Sequence, residues 1–369
     1  MKAMKVGFVG VGDISGIYLE NICNVFKSIE VIGVCDLIRE KAEKAAEKYA
    51  IPKIYNDMYE LFADPEVDIV LNITRPYEHY DVTKAALTAG KHVYTEKPLA
   101  PVYSEAKELY DLAAEKGVYL GGAPDTFLGA GIQTCRKLID DGFIGTPVGA
   151  AANFITPGPD DWHPAPDNVY QYGGGPMLDM GPYYITAMLN MLGRVKSVTG
   201  MAKITFAERM IKSQPRFGEM MKVSVPTYTA GIMEFESGVI GTLLTTFDVH
   251  QENAVCSLEI YGTDGAIYVP DPNFFGTDGP NEIRLFRKGS KKTETMPLLH
   301  SYSKNSRALG LAEMADAIQS GRPHRANSMQ LLHAVEIMTS IEKSSESGKR
   351  VDMVSPFEQQ PPLPLNYFI

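Results

Sequence analysis

The sequence predicts two domains: an α/β domain built on a parallel sheet, then an α+β domain with a largely antiparallel, open-faced sheet. Three observations carry this. The first 125 residues alternate short apolar runs with helical patterns. A glycine-rich turn follows the first of those runs. Beyond residue 195, strand-like segments succeed one another with only short turns between them. A chain of 369 residues exceeds one ordinary core. The expected division is residues 1–125, residues 126–355, and a tail over 356–369.

In the first domain the expected strands are Lys5–Val9, Val31–Cys35, Val67–Ile73, His92–Thr95 and Val118–Gly121. Helices are expected at Ser15–Phe26, Arg39–Tyr49, Tyr80–Ala89 (stopped by Gly90) and Ser104–Lys116 (closed by Gly117). After residue 125 come a helix at Gly131–Asp140, an extended run at Pro147–Ile155, and a Pro-, Asp- and Gly-rich loop from Thr156 to Gly175. A helix is expected at Pro182–Leu192, with the proline in its first turn. Strands follow at Ser197–Phe206, Tyr228–Phe235, Val239–Phe247, Val255–Tyr261 and Ala266–Val269. Glu236-Ser237-Gly238 and Gly262-Thr263-Asp264-Gly265 supply turns. Helices at Ala308–Ser320 and Ser328–Ser344 would cover one face of that sheet, leaving the other for a homodimer or homotetramer contact.

The formal net charge of −10 argues against nucleic acid or an anionic membrane surface as partner, because both need a basic face. No apolar run approaches the roughly 20 residues that span a bilayer, and the N-terminus runs into a strand pattern without signal-peptide architecture, so the expected location is the cytoplasm. Cys23, Cys35, Cys135 and Cys256 lie far apart without a CxxC pair, which reads as free thiols and no metal site.

The first strand runs into Gly10-Val11-Gly12-Asp13-Ile14-Ser15-Gly16 and then a helix. Gly10 permits the tight turn, Gly12 lets the backbone approach a pyrophosphate, and small Ser15 allows helix–strand packing. The helix N-terminus offers N–H groups and a positive dipole end to phosphate. Asp36 ends the second strand about 20 residues on, where its carboxylate would accept from ribose hydroxyls and repel a 2′-phosphate. This constellation is a Rossmann dinucleotide fingerprint. It favours NAD; Arg39 nearby leaves NADP open as the alternative.

Strand His92–Thr95 ends in Glu96-Lys97-Pro98, placing a lysine at the carboxyl edge of a parallel sheet, where such sheets bind ligands. With the fingerprint, Asn72-Ile73-Thr74-Arg75-Pro76 and His79, Ala89-Gly90-Lys91-His92-Val93, the run Gly173–Gly181 and the Tyr261–Gly265 turn, the chain resembles the Gfo/Idh/MocA oxidoreductases over nearly its whole length. The resemblance implies that Lys97 lies beside the nicotinamide and the substrate hydroxyl. It also adds Asn72, Thr74, Arg75, His79, Glu96 and Lys97 to the fingerprint residues Gly10, Gly12, Asp13, Ile14, Ser15, Asp36 and Arg39 as the cofactor-binding set. The family's Asp-x-Gly-x-His element reads Asp179-Met180-Gly181-Pro182-Tyr183 here: the aspartate matches, and tyrosine stands in the histidine position.

Oxidising a secondary alcohol requires a base for the hydroxyl proton as the hydride leaves carbon. Tyrosine serves only when a cation stabilises its phenolate, which Lys97 would supply, with Asp179 orienting the lysine or binding a substrate hydroxyl. His163, in Asp161-Trp162-His163-Pro164, is the competing acid/base group; Tyr183 as a core aromatic and His163 as a solvated loop residue are the bland alternatives. His92 and His333 receive no role. Asp160, Asp161, His163 and Asp179 suit a hydroxyl-rich small molecule, so the expected activity is an NAD(P)-dependent dehydrogenase or reductase of a sugar, cyclitol or related polyol. A non-catalytic dinucleotide sensor and an NAD-dependent glycosidase are the rivals.

Overall fold

The structure, a computed structural model, describes residues 2–276, 278–279 and 282–368. It divides into two compact units: Met1–Asp125 with Ser306–Leu332 and Tyr367–Ile369, and Thr126–Asn305 with His333–Asn366.

The first unit is built on β1 (Met4–Val9), β2 (Ile29–Cys35), β3 (Lys53–Ile54), β4 (Ile69–Asn72), β5 (His92–Thr95) and β6 (Leu120–Gly122). All pairs are parallel, in the order β3-β2-β1-β4-β5-β6. Helices α1 (Ser15–Asn24), α2 (Arg39–Tyr49), α3 (Met58–Ala63), α4 (His79–Thr88) and α5 (Tyr103–Lys116) make the connections. Val6, Phe8, Ile69, Val70, Leu71, Val93 and Tyr94 are buried, as strands covered on both faces require. The strand order reverses direction at β1 and β4, so a crevice for ligand opens at their carboxyl ends. Strand β3 and helix α3 were not expected; two and six residues are too short to show a period.

The second unit begins with α6 (Ala130–Asp140) and β7 (Pro147–Ile155), followed by α7 (Gly175–Leu192). Strands β8 (Val195–Lys203), β9 (Glu208–Met210), β10 (Met220–Lys222), β11 (Tyr228–Phe235), β12 (Ile240–Thr246), β13 (Val255–Gly262), β14 (Gly265–Val269), β15 (Arg284–Arg287) and β16 (Glu294–Thr295) follow. After α8 (Leu309–Ser320) and α9 (Ser328–Ser347), β17 (Val351–Asp352) closes a nine-stranded sheet in the order β16-β15-β14-β13-β7-β12-β11-β8-β17. Every pair is antiparallel except β7 with β12. Strands β9 and β10 form a separate hairpin, so the expected strand Ser197–Phe206 stops at Lys203.

Helix α7 packs on β7, β11 and β12. Ile341 of α9 lies over Gly200 and Gly231, where an added Cβ would come within 2.5–2.6 Å of it. On the opposite face Met201, Ile232 and Ile240 are 79%, 52% and 49% exposed.

Three expectations are corrected. Helix α7 starts seven residues before Pro182, with Pro176 in its first turn. Pro182 is interior: it denies the Leu178 carbonyl its helical donor, and the buried apolar surroundings of the helix outweigh that loss. Helix α8 belongs to the first unit, where it packs on β6. The segment from residue 356 is packed, not a loose tail. Leu363 is buried and its N–H donates to Gln133 Oε1 at 2.7 Å, and the Tyr367 hydroxyl donates to Asp316 at 2.8 Å.

Candidate functional site

In the first unit the predicted residues gather at the carboxyl edge of the sheet. Gly10 adopts φ +91°, and a Cβ there would lie 2.6 Å from the Ile73 carbonyl oxygen, so only glycine fits. At Gly12 no atom lies within 4 Å of a Cβ position, the open backbone a pyrophosphate needs. Ser15 is buried and its hydroxyl donates to the Gly12 carbonyl at 2.6 Å, closing the turn, while Asp13 is exposed and Ile14 is 38% exposed beside it. Asp36 accepts from Val11 N–H at 2.6 Å and Ile38 N–H at 2.8 Å. Each carboxylate oxygen keeps a further lone pair for a ribose hydroxyl. Arg39 points to Glu43 and Asn56, at 2.9 Å each. These residues fit a dinucleotide.

The next loop is ordered by its own side chains. Buried Asn72 donates to the His79 carbonyl at 3.2 Å and to Thr83 at 3.0 Å, and accepts from the Thr74 hydroxyl at 2.7 Å. Exposed Arg75 donates to the Tyr77 hydroxyl at 2.6 Å. Buried His79 has Nδ1 2.8 Å from the Pro98 carbonyl and Nε2 3.1 Å from the Thr74 carbonyl. Glu96 turns inward, accepting from the Tyr18 hydroxyl at 2.6 Å and from Lys97 N–H at 3.0 Å. The side chains of Asn72, His79 and Glu96 are thus engaged with protein groups, which makes them the frame of the site. Lys97 itself is half-buried, and its peptide bond to Pro98 is cis. Behind Glu96 lies Asp125, fully buried, accepting from Gly310 N–H at 3.0 Å; burial raises its carboxyl to about 6. Neither Tyr18 nor Asp125 stands out in the sequence, because each reads as ordinary core or turn.

In the second unit, α7 carries Asp179 and Tyr183 four residues apart and therefore on one helical face. Asp179 is half-buried and Tyr183 buried. The loop of residues 156–174 leads into that helix and carries Trp162, 72% exposed, edge-on to the His163 ring. His163 Nδ1 accepts from Ala165 N–H at 3.0 Å, so in the neutral ring the proton sits on Nε2.

Asp160 is not substrate-facing. It is buried, accepts from the Tyr170 hydroxyl at 2.7 Å, and pairs with Arg209 at 2.8 Å. The same guanidinium reaches Asp248 at 3.0 Å and the Pro157 carbonyl at 2.6 Å. Burial made Asp160 available to Arg209 of the unexpected hairpin. Asp161 remains exposed, 3.5 Å from Lys212. One further grouping mimics a hydrolytic triad: His333 Nδ1 meets Ser355 Oγ at 2.7 Å, and Ser355 in turn donates to Glu336. His333 Nε2 accepts from Val195 N–H at 3.2 Å, so the proton sits on Nδ1 and the ring cannot take one from the serine.

Residues 4–122 match the model of the oxidoreductase family with NAD-binding Rossmann fold, and residues 132–268 match the Gfo/Idh/MocA C-terminal domain. The chain belongs to the Gfo/Idh/MocA family. Its N-terminal unit is an NAD-binding Rossmann domain. Among relatives of this family, the D-glucoside 3-dehydrogenase of Escherichia coli is 26% identical over 95% of this chain and 97% of its own. The inositol 2-dehydrogenase of Salmonella typhimurium is 34% identical over 39% of this chain, and the chain spans only 44% of the length of that protein. A solved levoglucosan dehydrogenase, in complex with NADH and L-sorbose, shares the fold at TM-score 0.81 and 20% identity, over 96% of this chain and all of that one.

Proposed function

We propose that this protein is an NAD-dependent dehydrogenase acting on a secondary hydroxyl of a sugar, cyclitol or related polyol. The observation that carries the reading is the Glu96-Lys97-Pro98 turn at the carboxyl edge of an NAD-binding sheet, with the lysine half-buried on a turn fixed from within. The names of the relatives, inositol 2-dehydrogenase and D-glucoside 3-dehydrogenase, support the substrate class.

Asp36 would accept from the adenosine ribose hydroxyls and disfavour NADP, since a 2′-phosphate there meets a carboxylate. The Gly10–Ser15 turn and Asp36 would hold NAD, whose nicotinamide would supply the hydride acceptor for the substrate carbon. Lys97 hydrogen-bonds the substrate hydroxyl and stabilises the negative charge as its proton leaves. Asp179 and Tyr183, on one face of α7, are the proposed substrate-facing groups of the second unit, the carboxylate accepting from a substrate hydroxyl and Tyr183, as phenolate, taking the hydroxyl proton. His163 fits the role of donor better than that of base, because its Nδ1 lone pair is already engaged by Ala165.

The second unit's exposed sheet face, with Met201, Ile232 and Ile240, is proposed as the contact of a homo-oligomer. Sedimentation of wild type against Ile232→Glu tests it: loss of a dimer or tetramer in the variant is expected, and a wild-type monomer contradicts it.

The test of function is NADH formation, read by absorbance, across cyclitols, aldoses and sugar acids. Turnover of at least one polyol with NAD is expected. Coenzyme binding with no turnover in either direction on any of them would overturn the proposal.

A further inference from the structure

Lys97 sits on a turn whose two neighbours are each gripped from the protein interior. On the N-terminal side, Glu96 is buried, and its two oxygens are committed separately: Oε1 accepts from Tyr18 of α1 at 2.6 Å, Oε2 from the Lys97 backbone N–H at 3.0 Å. Tyr18 is fully buried, 78 residues away in sequence, and has no place in any motif of the site. On the C-terminal side, the Pro98 carbonyl lies 2.8 Å from Nδ1 of buried His79 at the start of α4. The other ring nitrogen faces the Thr74 carbonyl at 3.1 Å. A neutral imidazole carries one proton, and the shorter contact assigns it to Nδ1.

We propose that Tyr18 and His79 are positioning residues for Lys97, a buried clamp that grips the turn through the Glu96 carboxylate on one side and the Pro98 carbonyl on the other. The inference deepens the proposed function and rests on the reading of Lys97 as the group beside the reacting hydroxyl. Neither residue touches substrate. Each acts by removing freedom from the backbone that aims the amine, and a misplacement of about 1 Å costs on the order of 100-fold in rate when a reacting group is involved. The loop of residues 72–74 shares the arrangement, because Asn72 donates to the His79 carbonyl and thereby sets the ring's helix.

The test compares Tyr18→Phe, His79→Leu and His79→Asn with wild type and Lys97→Met. Asparagine retains an N–H near the position of Nδ1, so it is the conservative rescue. Three readouts are taken: kcat and KM on the polyol turned over by wild type, NADH affinity by fluorescence, and acylation of Lys97 by an amine-selective reagent, followed by peptide mass spectrometry. Tyr18→Phe and His79→Leu are expected to lose roughly 10- to 100-fold in kcat, with NADH affinity unchanged and the Lys97 acylation rate altered. His79→Asn is expected to regain most of the loss. Wild-type kcat and wild-type Lys97 acylation in Tyr18→Phe and His79→Leu would overturn the clamp. So would equal losses in His79→Leu and His79→Asn accompanied only by lower melting temperatures. If His79→Leu does not fold, Tyr18→Phe, which removes a single oxygen atom, decides. Full activity of Lys97→Met would instead overturn the reading of Lys97, an outcome the acylation rates do not depend on.

Discussion

The Asp36 carboxylate spans the fingerprint turn, accepting from Val11 N–H with one oxygen and from Ile38 N–H with the other. It therefore shapes the glycine loop, and in the proposed binding mode it also presents a charge to the ribose. Replacing Asp36 by alanine should raise the NAD dissociation constant by about tenfold or more, since a hydrogen bond to a charged group contributes about 1.5–3 kcal/mol. The preference for NAD over NADP should shrink at the same time. Fluorescence titration of both reduced coenzymes measures this; an unchanged NAD/NADP ratio would count against the assignment of Asp36.

Arg209 holds two buried carboxylates, Asp160 and Asp248, and stacks over the Tyr170 ring at 5.1 Å. Arg209→Met leaves both charges buried without a counter-ion, which should cost about 3–5 kcal/mol. The triple variant Arg209→Met, Asp160→Asn, Asp248→Asn should recover most of that, because no uncompensated charge remains. Denaturant unfolding of the two variants separates the cases. If the single variant is as stable as wild type, the ion pairs contribute nothing to holding the loop of residues 156–174.

Asp125 provides a pH test. Its folded-state carboxyl, raised by burial to about 6 from 3.8, prefers the protonated form. The stability it contributes is present in full below pH 3.8 and is lost as pH rises through 6. The difference between the two ends is about 3 kcal/mol. Asp125→Asn keeps an oxygen for the Gly310 N–H and removes the titration. It should melt above wild type at pH 8 and level with it at pH 3.5. A variant no more stable than wild type at pH 8 would refute this.

The first sheet was largely legible because its strands are apolar runs and its glycine turn has a mechanism; Val6–Val9 followed by Gly10 admits few other readings. The parts that were not legible depend on distant partners. The resemblance places Glu96 in the coenzyme-binding set, and only the fold reveals Tyr18 beneath it. Asp160 looked like a hydroxyl ligand until Arg209, 49 residues on, claimed it. Pro182 suggested a helix start by the usual rule, and tertiary burial overrode it. The segment around Leu363 read as a tail because its hydrogen bonds go to Gln133, 230 residues away, which no local pattern encodes.

In the proposed reaction Lys97 serves the chemical step and not the folding of the site. Single-turnover hydride transfer, with enzyme in excess over NAD and the polyol that wild type oxidises, should be compared in wild type and Lys97→Met by stopped-flow absorbance. The account predicts NADH binding within about threefold of wild type, well under 1 kcal/mol, and a hydride-transfer rate lower by at least about 100-fold. A variant that transfers hydride at the wild-type rate would contradict it.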